Sequence, residues 1–300
     1  MEVGVNWRLV CRWLLGFAFV ASALLKLFSA DAFATYIYGM ELFPLSLSAV
    51  AARLVIGFEF TLGVLLISRL CKKWVDGLVL LTLLGFSLYL LVLLLKGDDG
   101  NCYCFGDVIE FSPGESLLKN AVFFALLYFG QGVNEWKWHW TRWFVPSLFV
   151  LSVALCFVLK WPDSFSSTRE VSYRDDAFKA YMEKLDSPKD WRKGRRLVAF
   201  VSTSCPHCKL LTRKIHAAFS RNAIADTANI WVVFDPKNKY DAMLASGEFN
   251  VPSAQFLDSR IFKITEGVLP LVLLLENGEV VGKMSNRTFS EDKLIDFFKK

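Results

Sequence analysis

Five long apolar runs lie in the first 160 residues, at about 9–28, 45–67, 74–95, 116–133 and 143–160, and no other feature restricts the architecture as much. A helix needs about 20 mostly apolar residues to cross the hydrocarbon layer of a bilayer, and each run is near that length. With 54% hydrophobic residues and a mean hydropathy of +0.38, the chain is too apolar for two ordinary soluble domains. The 116–133 run is the weakest, because it is short and begins with Lys119 and Asn120. The first run admits a second reading as a signal peptide, with Arg8 and Arg12 ahead of its uncharged apolar part and Ala32-Phe33-Ala34 resembling a cleavage site. Its length, that of a full span, favours a retained helix.

Loop charges give an orientation. Arg8 and Arg12 at the N-terminus, Arg69, Lys72 and Lys73 after the second run, and Lys137 and Arg142 after the fourth make one side basic. The alternate loops hold Asp31 and Glu41, then Asp98, Asp99, Asp107, Glu110 and Glu115. The positive-inside rule predicts a cytoplasmic N-terminus and, after five crossings, a C-terminal domain on the outer side. The net charge of +5 follows from this topology and a basic soluble surface, and nothing in the chain points to nucleic acid.

The soluble part carries the sharpest chemical motif, Cys205-Pro206-His207-Cys208. Residues 196–201 are a short apolar β-rich stretch, and Leu211, Ile215, Ala218 and Phe219 recur at helical spacing after the motif. A strand feeding a helix through C-x-x-C is a redox arrangement. The helix N-terminus stabilises a thiolate, which makes Cys205 the nucleophile and Cys208, one turn further, the resolving thiol. His207 can add positive charge or a hydrogen bond to that thiolate. A C-x-x-C is also half of a zinc site, but no second C-x-x-C or H-x-H follows, which favours redox over metal.

Downstream, Leu269-Pro270 opens an apolar stretch that ends in Asn277-Gly278, a hairpin signal. Together with the C-x-x-C, this pattern resembles the thioredoxin family over about residues 171–300. The resemblance implies an α/β thioredoxin-like domain in which Pro270 is the cis-proline facing the cysteines and Leu269 offers backbone to a peptide. The Pro-His pair looks like that of DsbA-type periplasmic oxidants. Ala199 departs from the pattern, standing where such proteins often place a buried carboxylate. Predicted elements are a helix over Tyr173–Leu185, strands at Ile230–Phe234, Leu271–Leu275 and Val280–Lys283, and a helix over Glu291–Phe298.

A second cysteine pair, Cys102-Tyr103-Cys104, follows the third run on the predicted outer face. Residues one apart point to opposite sides of an extended strand, so these two can bond each other only through a tight, strained turn, which Gly100 and Gly106 would permit. A strained, exposed disulfide is labile. Two spectator thiols, or a purely structural bond, are the alternatives. The C-x-C-F-G-D motif, with Ser22 to Leu27 and Glu59, resembles the DoxX/MauE group of redox-associated membrane proteins over about residues 5–160. Tyr103 stands where that group commonly has Gly. The resemblance implies disulfide formation in an extracytoplasmic partner and electron transfer to quinone.

Lys26, Arg53 and Glu59 are ionisable groups inside apolar runs, which makes them candidates for a membrane-carrier or proton site, a structural ion pair being the alternative. Arg53 and Glu59, six residues apart, face different directions on one helix. Cys11, Cys71 and Cys156 read as apolar fillers, His139 as part of an interfacial Trp cluster, and His216 as a surface residue. The expectation is a transmembrane bundle over 1–160, a linker over 161–170 and a thioredoxin-like domain over 171–300. The protein is expected to sit in the bacterial inner membrane with its C-terminal domain periplasmic. It would exchange disulfides with cysteine-containing protein substrates, hold no covalent cofactor or metal, and link through quinone. A membrane-tethered maturation chaperone or a metal-delivery protein is the competing class.

Overall fold

The computed structural model describes residues 6–96, 102–107, 109, 111–136, 138–165, 171–184, 191–225, 228–245, 249, 251 and 254–299. Asp98, Asp99, Gly100, Glu110, Lys137, Leu185, residues 166–170 of the expected linker and the Asp107 side chain therefore lie outside the described residues. The chain divides into two compact units, one of residues 1–34 and 50–161, the other of residues 35–49 and 162–300.

The first unit is helical: α1 (Trp7–Phe28), the start of α2 (Ala30–Gly39), most of α3 (Leu45–Ser68), α4 (Lys72–Leu95), α5 (Pro113–Phe129) and α6 (Thr141–Leu159), with a short strand β1 (Cys104–Asp107) between α4 and α5. Four of these, α1, α3, α4 and α6, are long and apolar enough to cross a membrane. The expected bounds of 116–133 are corrected: that run forms α5, with 17 residues, about 25 Å at 1.5 Å per residue. It starts early, on a Ser112–Glu115 capping box with Pro113 in the first turn, and it stops at Gly130, ahead of a turn in which Gly132 has φ +82°. Even so, α5 runs back along α1. Ser116 lies by Cys104, whose carbonyl meets Ser22 of α1, while the Phe129 ring packs 5.8 Å from that of Trp7.

Small residues let the helices approach closely. A Cβ on Gly16 would sit 2.6 Å from Ile67 Cγ1 and one on Gly63 would sit 2.7 Å from Val20 Cγ2, so α1 and α3 touch backbone to backbone. Among the described residues of this unit, three ion pairs each set a buried cation against a carboxylate. Arg12 is paired to Asp76 at 2.5 Å and donates from Nε to the Leu66 carbonyl; Arg53 is paired to Asp31, and Lys26 to Glu59. Each charge is matched because an unpaired one is expensive in a low-dielectric interior.

The second unit is built on a five-stranded mixed sheet of β2 (Arg195–Ser202), β3 (Asn229–Phe234), β4 (Ala254–Phe256), β5 (Leu271–Glu276) and β6 (Glu279–Met284), in the order β4-β3-β2-β5-β6. β2 pairs parallel with β3 and antiparallel with β5. Both faces are covered, so β2 reads as an unbroken apolar run rather than an alternating one. Leu197, Ala199 and Val201 join the core of one face with α8 (Pro206–Asn222) and α11 (Glu291–Lys299). Val198 and Phe200 join the other with α7 (Asp175–Lys184) and α10 (Ile261–Ile264). The remaining helix, α9, spans Tyr240–Ala245. Asn277 and Gly278, at φ 51° and 86°, turn β5 into β6, as two left-handed residues must in a tight hairpin.

Candidate functional site

Cys205 lies at the end of the turn that leaves β2 and is the N-cap residue of α8. Pro206 occupies the first helical position, where its missing N–H costs nothing. The turn is held by the Cys205 N–H on the Ser202 carbonyl and by the Thr203 hydroxyl, which donates to Asp235 at 2.7 Å. Burial of Asp235 opposes ionisation. It is outweighed by donation from the Lys239, Tyr240 and Lys237 N–H groups and Thr203, which hold that carboxyl below its usual range.

The two thiols differ sharply. Cys205 is half-buried, whereas Cys208 is 0% exposed in the core against Ala199 and Leu211. Hydrogen bonding from the Cys208 thiol lowers the Cys205 pKa to about 7; burial opposes this, and the N–H groups of Cys208 and His207 reinforce it. Burial and then the neighbouring thiolate push Cys208 far up. His207 contributes through its backbone, and its imidazole is exposed. The Leu269–Pro270 peptide bond is cis, and the Leu269 carbonyl oxygen lies 3.9 Å from Cys205 Sγ. Ala199 is on the Cys208 face of the sheet, so that position supplies no carboxylate to take up a proton.

Cys102 and Cys104 are joined as a disulfide with their Cα atoms 5.5 Å apart. Tyr103 between them has φ +55°, the left-handed region that disfavours any residue with a Cβ and explains why Gly suits this position. Gly106, at φ +71°, takes a backbone conformation that other residues adopt at a cost, and a Cβ there would crowd the Ser29 hydroxyl and the Leu25 carbonyl. The expectation of an exposed pair is corrected: the cysteines are 2% and 4% exposed, packed with Leu90 and against Phe86, Phe105, Phe111 and Leu117. Phe86 and Leu90 come from α4 and Leu117 from α5.

Polar groups reach this buried pair from α5 and α1, and α3 joins them through Glu59. The Ser116 hydroxyl of α5 lies 2.9 Å from Cys102 Sγ and 3.1 Å from Cys104 Sγ. Ser22 of α1 lies within hydrogen-bond range of both the Cys104 carbonyl, at 2.9 Å, and Glu59, at 3.1 Å, and the Lys26 ammonium completes the group 2.5 Å from Glu59. Lys119, one turn beyond Ser116, sits over the rings of Phe86, Phe105 and Phe123 at 4.9–5.6 Å.

Of the three intramembrane ionisable candidates, Lys26 and Glu59 come together. Arg53 is engaged elsewhere, by Asp31 at 2.9 Å and the Lys160 carbonyl at 3.1 Å. Cys11, Cys71, Cys156, Cys205 and Cys208 are free thiols, and His216 is exposed on α8. Among the described residues no cluster of three or more His, Cys, Asp or Glu side chains could hold a metal ion. Ser116 and Lys119 were invisible as site residues in the sequence, because a single serine and a lysine on a helix carry no spacing signal, and Ser22 entered only as the first residue of the Ser22–Leu27 motif. The S-x-x-E of Ser112 and Glu115 does mark where α5 begins, and hence that Ser116 sits in its first turn.

Residues 6–133, less than half of the chain, match the family described as Methylamine utilisation protein MauE. Protein TlpB of Flavobacterium psychrophilum is 32% identical over 126 residues, 39% of this chain. The match spans about a third, 34%, of that relative's own length. No solved structure matches the chain. The chain is thus a multi-pass membrane protein, with a MauE-like segment holding the Cys102–Cys104 disulfide and a separate α/β unit holding Cys205 and Cys208.

Proposed function

We propose that this protein is a membrane-anchored, extracytoplasmic thiol–disulfide oxidoreductase, with a bundle over 1–160, a linker over 161–170 and a thioredoxin-like domain over 171–300. The observation that carries the proposal is the asymmetry of the C-x-x-C: a half-buried sulfur with its pKa lowered to about 7 at a helix N-terminus, and a fully buried one a turn later. The sheet order, the cis Leu269–Pro270 bond and the helix following β2 support the thioredoxin-like assignment. A substrate thiolate attacks Cys205 Sγ of the Cys205–Cys208 disulfide. The S–S bond breaks, its electron pair leaves on Cys208, and Cys208 takes a proton. The second substrate thiol then displaces Cys205, leaving an oxidised substrate and a reduced dithiol. Exchange is reversible, and the potentials of the partners set its direction.

The bundle's part in this scheme is to exchange with that dithiol through Cys102–Cys104. The pair is covered at rest, so exchange requires it to be uncovered during turnover, a gating step of the ordinary kind. Lys119 with Phe86, Phe105 and Phe123 offers a cation and flat apolar surface suited to a quinone head. These residues would hold the quinone, which would supply a two-electron, two-proton sink. The proton role assigned to the intramembrane charges falls to Lys26 and Glu59, Arg53 being occupied by Asp31 and Lys160. The course of α5 along α1 supports five crossings of the bacterial inner membrane, and the basic Arg69, Lys72, Lys73 and Arg142 support a cytoplasmic N-terminus and a periplasmic C-terminal domain.

Trapping tests this scheme. In intact membranes carrying Cys208→Ala, mass spectrometry of disulfide-linked peptides is expected to find Cys205 joined to extracytoplasmic proteins and to Cys102 or Cys104. Capture of foreign proteins alone would remove the relay and leave a tethered oxidoreductase. Activity that survives Cys205→Ala would instead mean a chaperone.

A further inference from the structure

Opening the Cys102–Cys104 bond poses a chemical problem that its surroundings define. When a thiolate attacks one sulfur, the electron pair of the S–S bond passes to the other, which leaves as a thiolate. The leaving sulfur departs faster when its anion is stabilised. Both sulfurs lie among Leu90, Phe86, Phe105, Phe111 and Leu117. Apolar surroundings destabilise an anion. A donor at the sulfurs is therefore required if this bond is to exchange at a useful rate.

We propose that Ser116 is a catalytic residue of the Cys102–Cys104 centre, its hydroxyl donating to whichever sulfur leaves as the disulfide opens. The hydroxyl lies 2.9 Å from one sulfur and 3.1 Å from the other, so a single donor serves attack at either. Disulfide sulfurs carry no hydrogen, so in the oxidised pair Ser116 must be the donor. The Ser116 residue is 0% exposed, which removes competition from water. It lies in the first turn of α5, whose capping box fixes the backbone and whose N-terminal dipole also favours an anion. A hydrogen bond that strengthens as its acceptor becomes charged speeds the step in the manner of an oxyanion hole. The inference rests on the reading of this disulfide as redox-active.

The test uses the full-length chain in lipid, carrying Cys205→Ala and Cys208→Ala, with dithiothreitol as reductant and mass spectrometry of the Cys102–Cys104 peptide after alkylation. Ser116→Ala is expected to slow opening by about tenfold, the range of one hydrogen bond to a charged group. It should also move the pH midpoint for alkylating the released thiol upward, and Ser116→Thr should restore both. The charged groups on the surrounding elements, Lys26 of α1, Glu59 of α3, Lys96 at the end of α4, Asp107 of β1, and Glu115 and Lys119 of α5, stay unchanged across the variants. Loss of packing has the opposite sign, since an unfolded centre exposes the disulfide and speeds its reduction. Opening of Ser116→Ala at or above the parent rate, or an unshifted pH profile, therefore overturns the proposal. A parent disulfide inert to dithiothreitol overturns this role, while the relay is judged by the trapping of Cys205. One that dithiothreitol opens but that trapping never links to Cys205 removes the relay alone.

Discussion

The two cysteine pairs solve opposite problems. In Cys205-Pro206-His207-Cys208, two intervening residues put the sulfurs on one helical turn, and the edge of the core separates them: Cys205 is half-buried and Cys208 is 0% exposed. In Cys102-Tyr103-Cys104, one intervening residue forces a left-handed backbone at Tyr103, and both sulfurs are buried together around one hydroxyl. The first pair is built for unequal thiols and the second for interchangeable ones. If both pairs exchange as proposed, burial selects the nucleophile in the first and the direction of attack selects it in the second.

Deleting the nucleophile gives the largest expected effect. Cys205→Ala should lower disulfide exchange with a protein substrate by about a thousandfold or more, as loss of a nucleophile does. Cys102→Ala with Cys104→Ala should leave exchange with a small disulfide intact while blocking turnover in membranes. Equal losses in both assays for both variants would erase the distinction between the pairs.

Lys26→Met comes next. It leaves the largely buried Glu59 carboxylate with Ser22 as its remaining neighbour from the group, and removing one member of a fully buried pair costs about 3 kcal/mol, an upper value here. Because Ser22 also meets the Cys104 carbonyl, the loss should show both in thermal unfolding of the bundle and in a changed rate of Cys102–Cys104 reduction, with Cys205 alkylation unaffected. A normal melting temperature would mean the pair contributes nothing to holding this centre.

The pH dependence sharpens the contrast. With its pKa lowered from 9.0 to about 7, Cys205 is half thiolate near pH 7 and about one part in a hundred near pH 5, so its alkylation should slow roughly fiftyfold over that interval. The lowered pKa also stabilises the reduced fold. That contribution is fully present above pH 9 and is lost as pH falls through about 7. The oxidised protein has no such thiolate and should lack this component. A midpoint near pH 9 would return Cys205 to an ordinary thiol.

What the sequence disclosed follows the same division. The soluble unit was legible because its signals are local: the strand leading to Cys205, the helix after it, the Asn277-Gly278 turn and the expected strands all match elements within a residue or two. The apolar runs were legible as helices too, but the 116–133 run slid to Pro113–Phe129, since the capping box outweighed the hydropathy window. The short strand β1 and the burial of Cys102 and Cys104 depend on residues from α1, α4 and α5 meeting in space. No pattern along the chain announces that Ser22, Lys26, Glu59 and Ser116 share one centre, or that Arg53 turns to Asp31 instead.

The smallest expected effect isolates the frame on which the buried pair rests. Ser112→Ala removes an N-cap whose hydroxyl accepts from the Glu115 N–H and which Glu115 answers on the Ser112 N–H. Such a cap is worth about 1 kcal/mol. The loss should fray the first turn of α5, which holds Ser116, and loosen its hold on both sulfurs while leaving the hydroxyl in the chain. Thermal stability of the bundle should fall slightly. Dithiothreitol reduction of Cys102–Cys104 should change by less than in Ser116→Ala, and alkylation of Cys205 should stay constant. If Ser112→Ala alters reduction as strongly as Ser116→Ala, the geometry of the turn rather than the hydroxyl itself governs the pair, and the two centres differ in scaffolding more than in chemistry.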